Sequence, residues 1–199
     1  MRILLTNDDS ISASQLVPLA RWCKKLGEVT IVVPKYEQSG KSQSIELHKP
    51  FEVKQVELEP GLQAYTVDSS PADCIRFAVF GLKLKPDLVI SGINRGFNMG
   101  SDMLYSGTVA AACEAGLLGF QALAVSTGIN CYEEAISHMD FVWDYLCRNK
   151  LLEQGDLYNI NIPSSPQGVR ITRQGGPYYS DDFIPIGGGL WSPKGKCVY

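Results

Sequence analysis

The sequence predicts an α/β protein: a Rossmann-like, mostly parallel sheet with helices on both faces. Apolar runs typical of buried strands alternate with stretches of helical periodicity along most of the chain. The run at 29–33 consists entirely of β-branched residues, as expected for a strand covered on both faces. Glycine, proline and small polar residues separate these elements, as in the short turns between the elements of such sheets.

Each predicted element rests on its own pattern. The strand at 2–5 is a short apolar run, and residues 51–56 alternate with period two, which is typical of a half-exposed strand. The helix at 71–82 begins with Ser70 as its cap and Pro71 at its first position. The remaining predicted strands are 29–33, 62–67, 87–91, 122–126, 158–162 and 169–172. The remaining predicted helices are 16–26, 107–117 and 136–146.

Length and composition favour a single domain over residues 1–199, with 45% hydrophobic residues to build its core. We expect a Rossmann-like core at about 1–173. The segment at about 174–199 is rich in Gly, Pro, Tyr and Asp without a period, so we expect an irregular arm there.

Charge and cysteine usage narrow the functional class. The net charge is -3 and no block of like charges occurs, so neither a nucleic-acid polymer nor a membrane surface is an expected partner. No apolar run approaches the 18 residues or so of a membrane span. The six cysteines form no C-x-x-C pair and lie mostly in apolar patterns. A reduced, cytoplasmic protein is the expected case.

A polar turn, Thr6 to Ser10, follows the first strand and contains adjacent carboxylates at Asp8 and Asp9. Two unpaired carboxylates at close range repel by roughly 4 kcal/mol at an effective dielectric constant near 20. A fold tolerates this repulsion when a cation is bound, when one acid is protonated, or when both are hydrated. A hard divalent metal with oxygen ligands explains the pair. The alternative is a polar turn that starts a helix, with one Asp as its cap.

Two further polar loops follow predicted core strands. One contains Ser39, and the other is the glycine-rich stretch that contains Asn94 and Asn98. Ligands of open parallel sheets bind outside the carboxyl ends of the strands, so the three loops are expected to meet at one edge. They offer carboxylate, hydroxyl and amide oxygens and no Cys/His set, which favours Mg²⁺ or Mn²⁺ over zinc.

The second half of a site is predicted at the start of the helix at 107–117. Ser106 is a natural cap, and free backbone N–H groups at a helix N-terminus form a ready anion site. The hydroxyls of Ser106 and Thr108 could donate to phosphate oxygens. The simpler interpretation is that Ser106 only caps the helix while Gly107 allows close packing.

Four stretches of the sequence, in this order and spacing, resemble the SurE family of metal-dependent 5'/3'-nucleotidases. They are Thr6 to Asp9, Ser39 with Gly40, Ser70 to Cys74, and the run from Ser91 to Val109. The similarity extends from Met1 to about Arg173. It implies a Rossmann-like core, cytoplasmic dimers or tetramers, and hydrolysis of nucleoside monophosphates with broad base tolerance; some members also trim short polyphosphate.

The resemblance also implies roles for individual residues. One divalent metal ion, Mg²⁺ or Mn²⁺, would be bound by Asp8, Asp9, Ser39 and Asn94. The phosphate pocket would be lined by Asn98, Ser106, Gly107 and Thr108. Asp8 or Asp9 would accept the proton of the attacking water, and no covalent intermediate is expected.

Three features depart from the family pattern. Ser10 stands where the family usually has Gly, so a turn with positive φ would be held at some cost. Arg95 occupies a variable position and adds a positive charge near the pocket. The arm also looks short relative to the family, which leaves a second hypothesis: an impaired module that binds metal and nucleotide without turnover. A purely structural subunit is the third hypothesis.

Overall fold

The computed structural model describes residues 1–198, and its centre is a seven-stranded sheet. The strands are β1 (Arg2–Thr6), β2 (Glu28–Pro34), β3 (Val53–Glu59), β4 (Leu62–Val67), β5 (Leu88–Arg95), β6 (Ala122–Thr127) and β7 (Leu157–Ile162). Their order is β3-β4-β2-β1-β5-β6-β7. Only the edge strand β3 runs antiparallel to its neighbour, so the predicted mostly parallel sheet is confirmed.

Helices cover both faces of this sheet. They are α1 (Leu16–Lys24), α2 (Pro71–Arg76), α3 (Gly107–Leu117) and α4 (Tyr132–Arg148). Leu5 packs with the residues of α1 and α4, whereas Leu4 packs with those of α2 and α3. Successive strand residues therefore fill two separate cores, which explains why the central strands are apolar at every position. Within residues 1–198, no helix combines the length and apolar character needed to cross a bilayer.

The sheet has its topological switch point between β1 and β5. The chain passes from β1 through α1 to β2 on one side, whereas β5 joins β1 on the other side and continues to β6. Loops that leave neighbouring strands in opposite directions open a crevice at the carboxyl ends of those strands. The turn after β1 and the loop after β5 border this crevice, as the sequence predicts.

Two details in the C-terminal third differ from the sequence-based expectations. The strand predicted at 169–172 is wrong: that segment has no regular secondary structure and is exposed. The expected irregular arm contains four short strands, β8 (Tyr179–Ser180), β9 (Phe183–Gly187), β10 (Leu190–Pro193) and β11 (Lys196–Cys197). Antiparallel pairs join β9 to β10 and β8 to β11. Gly187, Gly188 and Gly189 all have positive φ and form the turn of the β9–β10 hairpin.

Substitution of Leu5 by Ala tests the two-sided core. Leu5 is fully buried in β1, so Leu5→Ala should lower the free energy of unfolding by about 2–5 kcal/mol through lost burial and cavity formation. Leu117→Ala is the matched control, because Leu117 is 76% exposed at the end of α3; its effect should stay within about 0.5 kcal/mol. Urea denaturation measures both values. Equal losses in the two variants would contradict this assignment of the core.

Candidate metal and phosphate site

The turn after β1 buries the carboxylate of Asp8. The side-chain amide of Asn7 donates to the Ser10 carbonyl at 3.0 Å and closes the turn. Ser10 has φ +78°, so the turn adopts the left-handed conformation that was expected to be costly for a residue other than Gly. Asp8 is only 3% exposed, and the hydroxyl of Thr108 donates to its Oδ1 atom. Burial raises the pKa of Asp8, and the Thr108 hydrogen bond opposes this rise.

Asp9 is held by a glutamine that the sequence analysis did not identify. The Nε2 atom of Gln15 donates to Asp9 Oδ2 at 2.6 Å and to the Ile93 carbonyl at 2.9 Å. Gln15 therefore links the turn after β1 to β5. Burial raises the pKa of Asp9 to about 6, and the negative charge of Asp8 adds to this rise. The two adjacent carboxylates thus share a poorly solvated space.

The loop that carries Ser39 is bound directly to the Asp8 backbone. The backbone N–H of Gln38 donates to the Asp8 carbonyl at 2.8 Å. The Ser39 hydroxyl donates to Glu37 Oε1 at 2.8 Å. The negative charge of Glu37 contributes to the raised pKa values of Asp8 and Asp9, which places a further acid near the pair.

The rest of this loop is anchored on α2 and α3. Gln43 Nε2 donates to Glu114 Oε2 at 2.9 Å, and Arg76 forms an ion pair with the other oxygen of Glu114 at 3.0 Å. The Asp73 carboxylate accepts the Glu46 backbone N–H at 2.8 Å. Together with the bond from Gln38 to the Asp8 carbonyl, these contacts attach the loop on both sides of Ser39.

Asn94 reaches the crevice because β5 is irregular. The pairing of β5 with β6 shifts register between Ser91 and Asn94, and such irregularities redirect side chains at sheet edges. A side chain at Gly92 would bring its Cβ atom within 2.3 Å of the Val125 carbonyl oxygen, so this irregularity requires glycine. Asn94 Nδ2 donates to the Gly96 carbonyl at 2.8 Å, so this bond does not engage the amide oxygen of Asn94.

Asn98 is fixed by polar contacts from the next two strands. Its Nδ2 atom donates to Ser126 Oγ at 2.8 Å, and its backbone N–H donates to Asn161 Oδ1 at 2.9 Å. Asn159 and Asn161 donate to its carbonyl at 2.8 and 3.0 Å. Asn98 is 8% exposed and nonetheless lines the crevice, so its orientation is determined by the fold.

The N-terminus of α3 lies directly against Asp8. Ser106 caps the helix by accepting the Val109 backbone N–H at 3.2 Å, as predicted. A side chain at Gly107 would place its Cβ atom 2.8 Å from the Asp8 Cβ atom. Close packing at Gly107 and capping by Ser106 therefore both occur, and the Thr108 backbone N–H at this helix end forms a hydrogen bond with the Asp8 carboxylate.

These residues surround one cleft of about 320 Å³. Among the predicted site residues, its lining includes Asp8, Ser39, Asn94, Asn98 and Ser106. The other three adjoin Asp8: Asp9 follows it in the chain, Gly107 packs on it and Thr108 donates to it. The structure thus brings all eight predicted residues together at the switch point. The lining also includes Arg95, Phe97, Asp102, Tyr105, Tyr178, Tyr179 and Asp181.

The donor set fits a hard divalent cation. Within the part of the chain that the structure describes, no Lys, Arg or His forms an ion pair with Asp8 or Asp9. No group of three or more His, Cys, Asp and Glu residues suited to a metal occurs among residues 1–198. Neutral oxygens from Ser39 and Asn94 would therefore complete the set, as Mg²⁺ and Mn²⁺ accept.

Comparison with known proteins gives this arrangement a family. A switch-point crevice with paired carboxylates and an adjacent helix N-terminus defines a ligand-binding α/β protein. The family model described as "Survival protein SurE" matches residues 3–181. The chain therefore belongs to the SurE family.

Individual relatives agree over nearly the full chain. The protein named 5'-nucleotidase SurE from Thermoanaerobacter sp. (strain X514) is 39% identical over 207 residues, covering 100% of this chain and 80% of its own length. The protein of the same name from Legionella pneumophila subsp. pneumophila (strain Philadelphia 1) is 39% identical over 206 residues, covering 100% of this chain and 78% of its own length. The crystal structure of the SurE protein from Aquifex aeolicus superposes with a TM-score of 0.77 at 31% identity, covering 98% and 83%.

Two glycines of α3 provide a matched test of the packing at Asp8. Gly107→Ala should lower the free energy of unfolding by about 1–3 kcal/mol, because the new methyl group overlaps Asp8. Gly116→Ala places its Cβ atom no closer than 4.0 Å to Leu157, so it should stabilise the same helix by about 0.5–1 kcal/mol. Thermal and urea unfolding measure both. The two substitutions should change the free energy of unfolding in opposite directions. A stabilised Gly107→Ala variant would refute the close approach of α3 to Asp8.

Proposed function

We propose that this protein is a divalent-metal-dependent phosphomonoesterase that hydrolyses nucleoside 5'- and 3'-monophosphates to nucleoside and phosphate. One observation carries the proposal: the buried carboxylate of Asp8 adjoins the N-terminus of α3 in a cleft lined by amide and hydroxyl groups, the half-buried Asp9 follows it in the chain, and neither forms an ion pair with a basic side chain within residues 1–198. The relatives named 5'-nucleotidase support the same activity.

Asp8, Asp9, Ser39 and Asn94 would hold the metal, Mg²⁺ or Mn²⁺. When bound, a divalent ion polarises the phosphoryl oxygens as a Lewis acid and lowers the pKa of a bound water, so that hydroxide is available near neutral pH. The chain orients its own ligands: Thr108 fixes Asp8 and Gln15 fixes Asp9 through hydrogen bonds. Such supporting contacts typically change metal affinity or activity by about 10- to 100-fold.

The phosphate would lie between Asn98 and the start of α3, with Ser106, Gly107 and Thr108 around it. Backbone N–H groups at a helix N-terminus stabilise negative charge on phosphoryl oxygens in the transition state. Asp8 or Asp9 accepts the proton of the attacking water, because these carboxylates adjoin both the helix end and the ligand set. Water is the nucleophile in this proposal, and no covalent intermediate forms.

The partners and location follow from the same proposal. A homodimer or homotetramer is supported by the β9–β10 hairpin, which exposes Phe183, Ile186, Leu190 and Trp191 by about 60% each. A cytoplasmic location is supported by the six cysteines, none of which forms a disulfide within residues 1–198.

Replacement of Asp8 tests the activity. Asp8→Asn should reduce phosphate release from AMP with Mn²⁺ by at least about 100-fold, because it removes a charged ligand oxygen while keeping the shape of the side chain. Asp144→Asn, on the exposed side of α4, is the control and should behave like the wild type. A fully active Asp8→Asn enzyme would exclude this mechanism. Wild-type protein that binds AMP without phosphate release would instead support the impaired-module hypothesis.

Metal removal provides a test that needs no turnover. Mn²⁺ at 100 times its dissociation constant should stabilise the fold by about 2.7 kcal/mol relative to EDTA, or about 5–10 °C in melting temperature for a chain of this size. The shift should largely vanish in Asp8→Asn and persist in Asp144→Asn. Identical melting curves for the wild type in EDTA and in Mn²⁺ would contradict the metal site and favour a structural subunit.

A further inference from the structure

The C-terminal arm forms one wall of the cleft, opposite the carboxylates. Tyr178, Tyr179 and Asp181 line the same space as Asp8 and Ser106. The rings of Tyr178 and Tyr179 pack edge to face, with centroids 5.1 Å apart and planes at 89°. This geometry is favourable for aromatic pairs, so each ring helps to fix the orientation of the other.

Asp102 attaches this wall to the turn that precedes α3. Its Oδ2 atom accepts the backbone N–H groups of Tyr178 and Tyr179 at 2.6 and 2.7 Å. The Ser101 backbone N–H donates to the Gly176 carbonyl at 3.1 Å. Gly100 has φ +60°, and a Cβ atom there would lie 2.0 Å from the same carbonyl oxygen. A carboxylate that accepts two backbone donors makes strong, charge-assisted hydrogen bonds.

The backbone of the two tyrosines is held by strand pairing, while the Tyr179 side chain remains accessible. Strands β8 and β11 pair through Tyr179 and Cys197, and the Val198 backbone N–H donates to the Tyr178 carbonyl at 2.9 Å. Tyr179 nevertheless remains 48% exposed while lining a concave space. A rigidly held aromatic ring with an accessible surface in a cleft is suited to receive a flat apolar group.

Charge separates the two ends of the cleft. The arm end contains the carboxylates of Asp102 and Asp181, which disfavour a second phosphate group there. The phosphate of a substrate is favoured at the end that has the helix N-terminus and the proposed metal ligands. The part of a nucleotide that best suits the tyrosines is therefore its uncharged, planar base.

We propose, resting on the proposed nucleotidase function, that the nucleobase stacks on the ring of Tyr179, which Tyr178 supports edge to face and Asp102 holds through the backbone. Stacking on an aromatic face tolerates every base, because each base has a π face. Base recognition of this kind raises affinity for nucleotides over bare sugar phosphates while discriminating weakly among the bases. Asp102 is a positioning residue in this proposal, since it acts through the backbone of the tyrosines.

Kinetics with AMP and ribose 5-phosphate test the proposal, because the two substrates differ by the base. The measured quantity is the ratio of kcat/KM for AMP to that for ribose 5-phosphate. Tyr179→Leu keeps an apolar side chain but removes the ring, so this ratio should fall about 5- to 30-fold. Tyr179→Phe retains the ring and should retain the ratio. Phe183→Leu, a ring removal at a 60% exposed position of the same arm, is the matched control.

Asp102 variants give a second readout of the same wall. Asp102→Ala should lower the ratio in the same direction, mainly through KM for AMP, and Asp102→Asn should restore part of it by keeping an acceptor oxygen. An unchanged ratio in Tyr179→Leu, or an equal fall in Phe183→Leu, would overturn the stacking surface.

A calorimetric experiment separates this inference from the proposed activity. AMP and ribose 5-phosphate are titrated into wild-type protein and Tyr179→Leu in the presence of Mn²⁺. Tighter binding of AMP that is lost in Tyr179→Leu supports the stacking surface even without phosphate release, which would refute only the nucleotidase proposal. Equal binding of the two compounds to the wild type refutes the stacking surface whatever the activity.

Discussion

The placement of two adjacent carboxylates at the end of β1, one buried and one half-buried, is the constraint on which the rest of this structure depends. Asp8 and Asp9 carry charge into a poorly solvated crevice, where burial raises the pKa of both and brings that of Asp9 to about 6. Polar contacts from three segments converge on them: Thr108 from α3, Gln15 from the cap position before α1, and the Gln38 backbone from the loop after β2. A bound cation removes the repulsion that these contacts only moderate.

The sheet and most of the site could be predicted because local patterns encode them. Parallel strands buried on both faces must be apolar at successive positions, so the central strands stand out in the sequence; Leu4 and Leu5 then enter different cores. The same topology places every loop that follows a parallel strand at one edge. Asp8, Ser39 and Asn94 come together for this reason, although they lie in separate parts of the chain.

What the sequence did not reveal depends on contacts between remote residues without a repeating pattern. Gln15 resembles an ordinary helix-start residue, yet it bridges Asp9 and Ile93. Asp102 binds the backbone N–H of Tyr178, 76 residues away. Almost any residue type offers the same backbone N–H group, so the sequence does not indicate this contact. The hairpin in the arm had a local signal, the three consecutive glycines at its turn. The prediction of an irregular arm used the composition of the segment and did not use this signal.

The segment from Gly100 to Thr108 joins the two ends of the cleft within a few residues. Asp102 holds the tyrosine wall, Ser106 caps the helix whose N-terminus faces the phosphate end, and Thr108 orients Asp8. Because residues 100–105 form a 3₁₀ helix that leads through Ser106 directly into α3, the distance between the aromatic wall and the carboxylates is set by short-range backbone geometry. A nucleotide that reaches both ends is thereby oriented by one continuous element, so that binding energy from the base is available to align the phosphate.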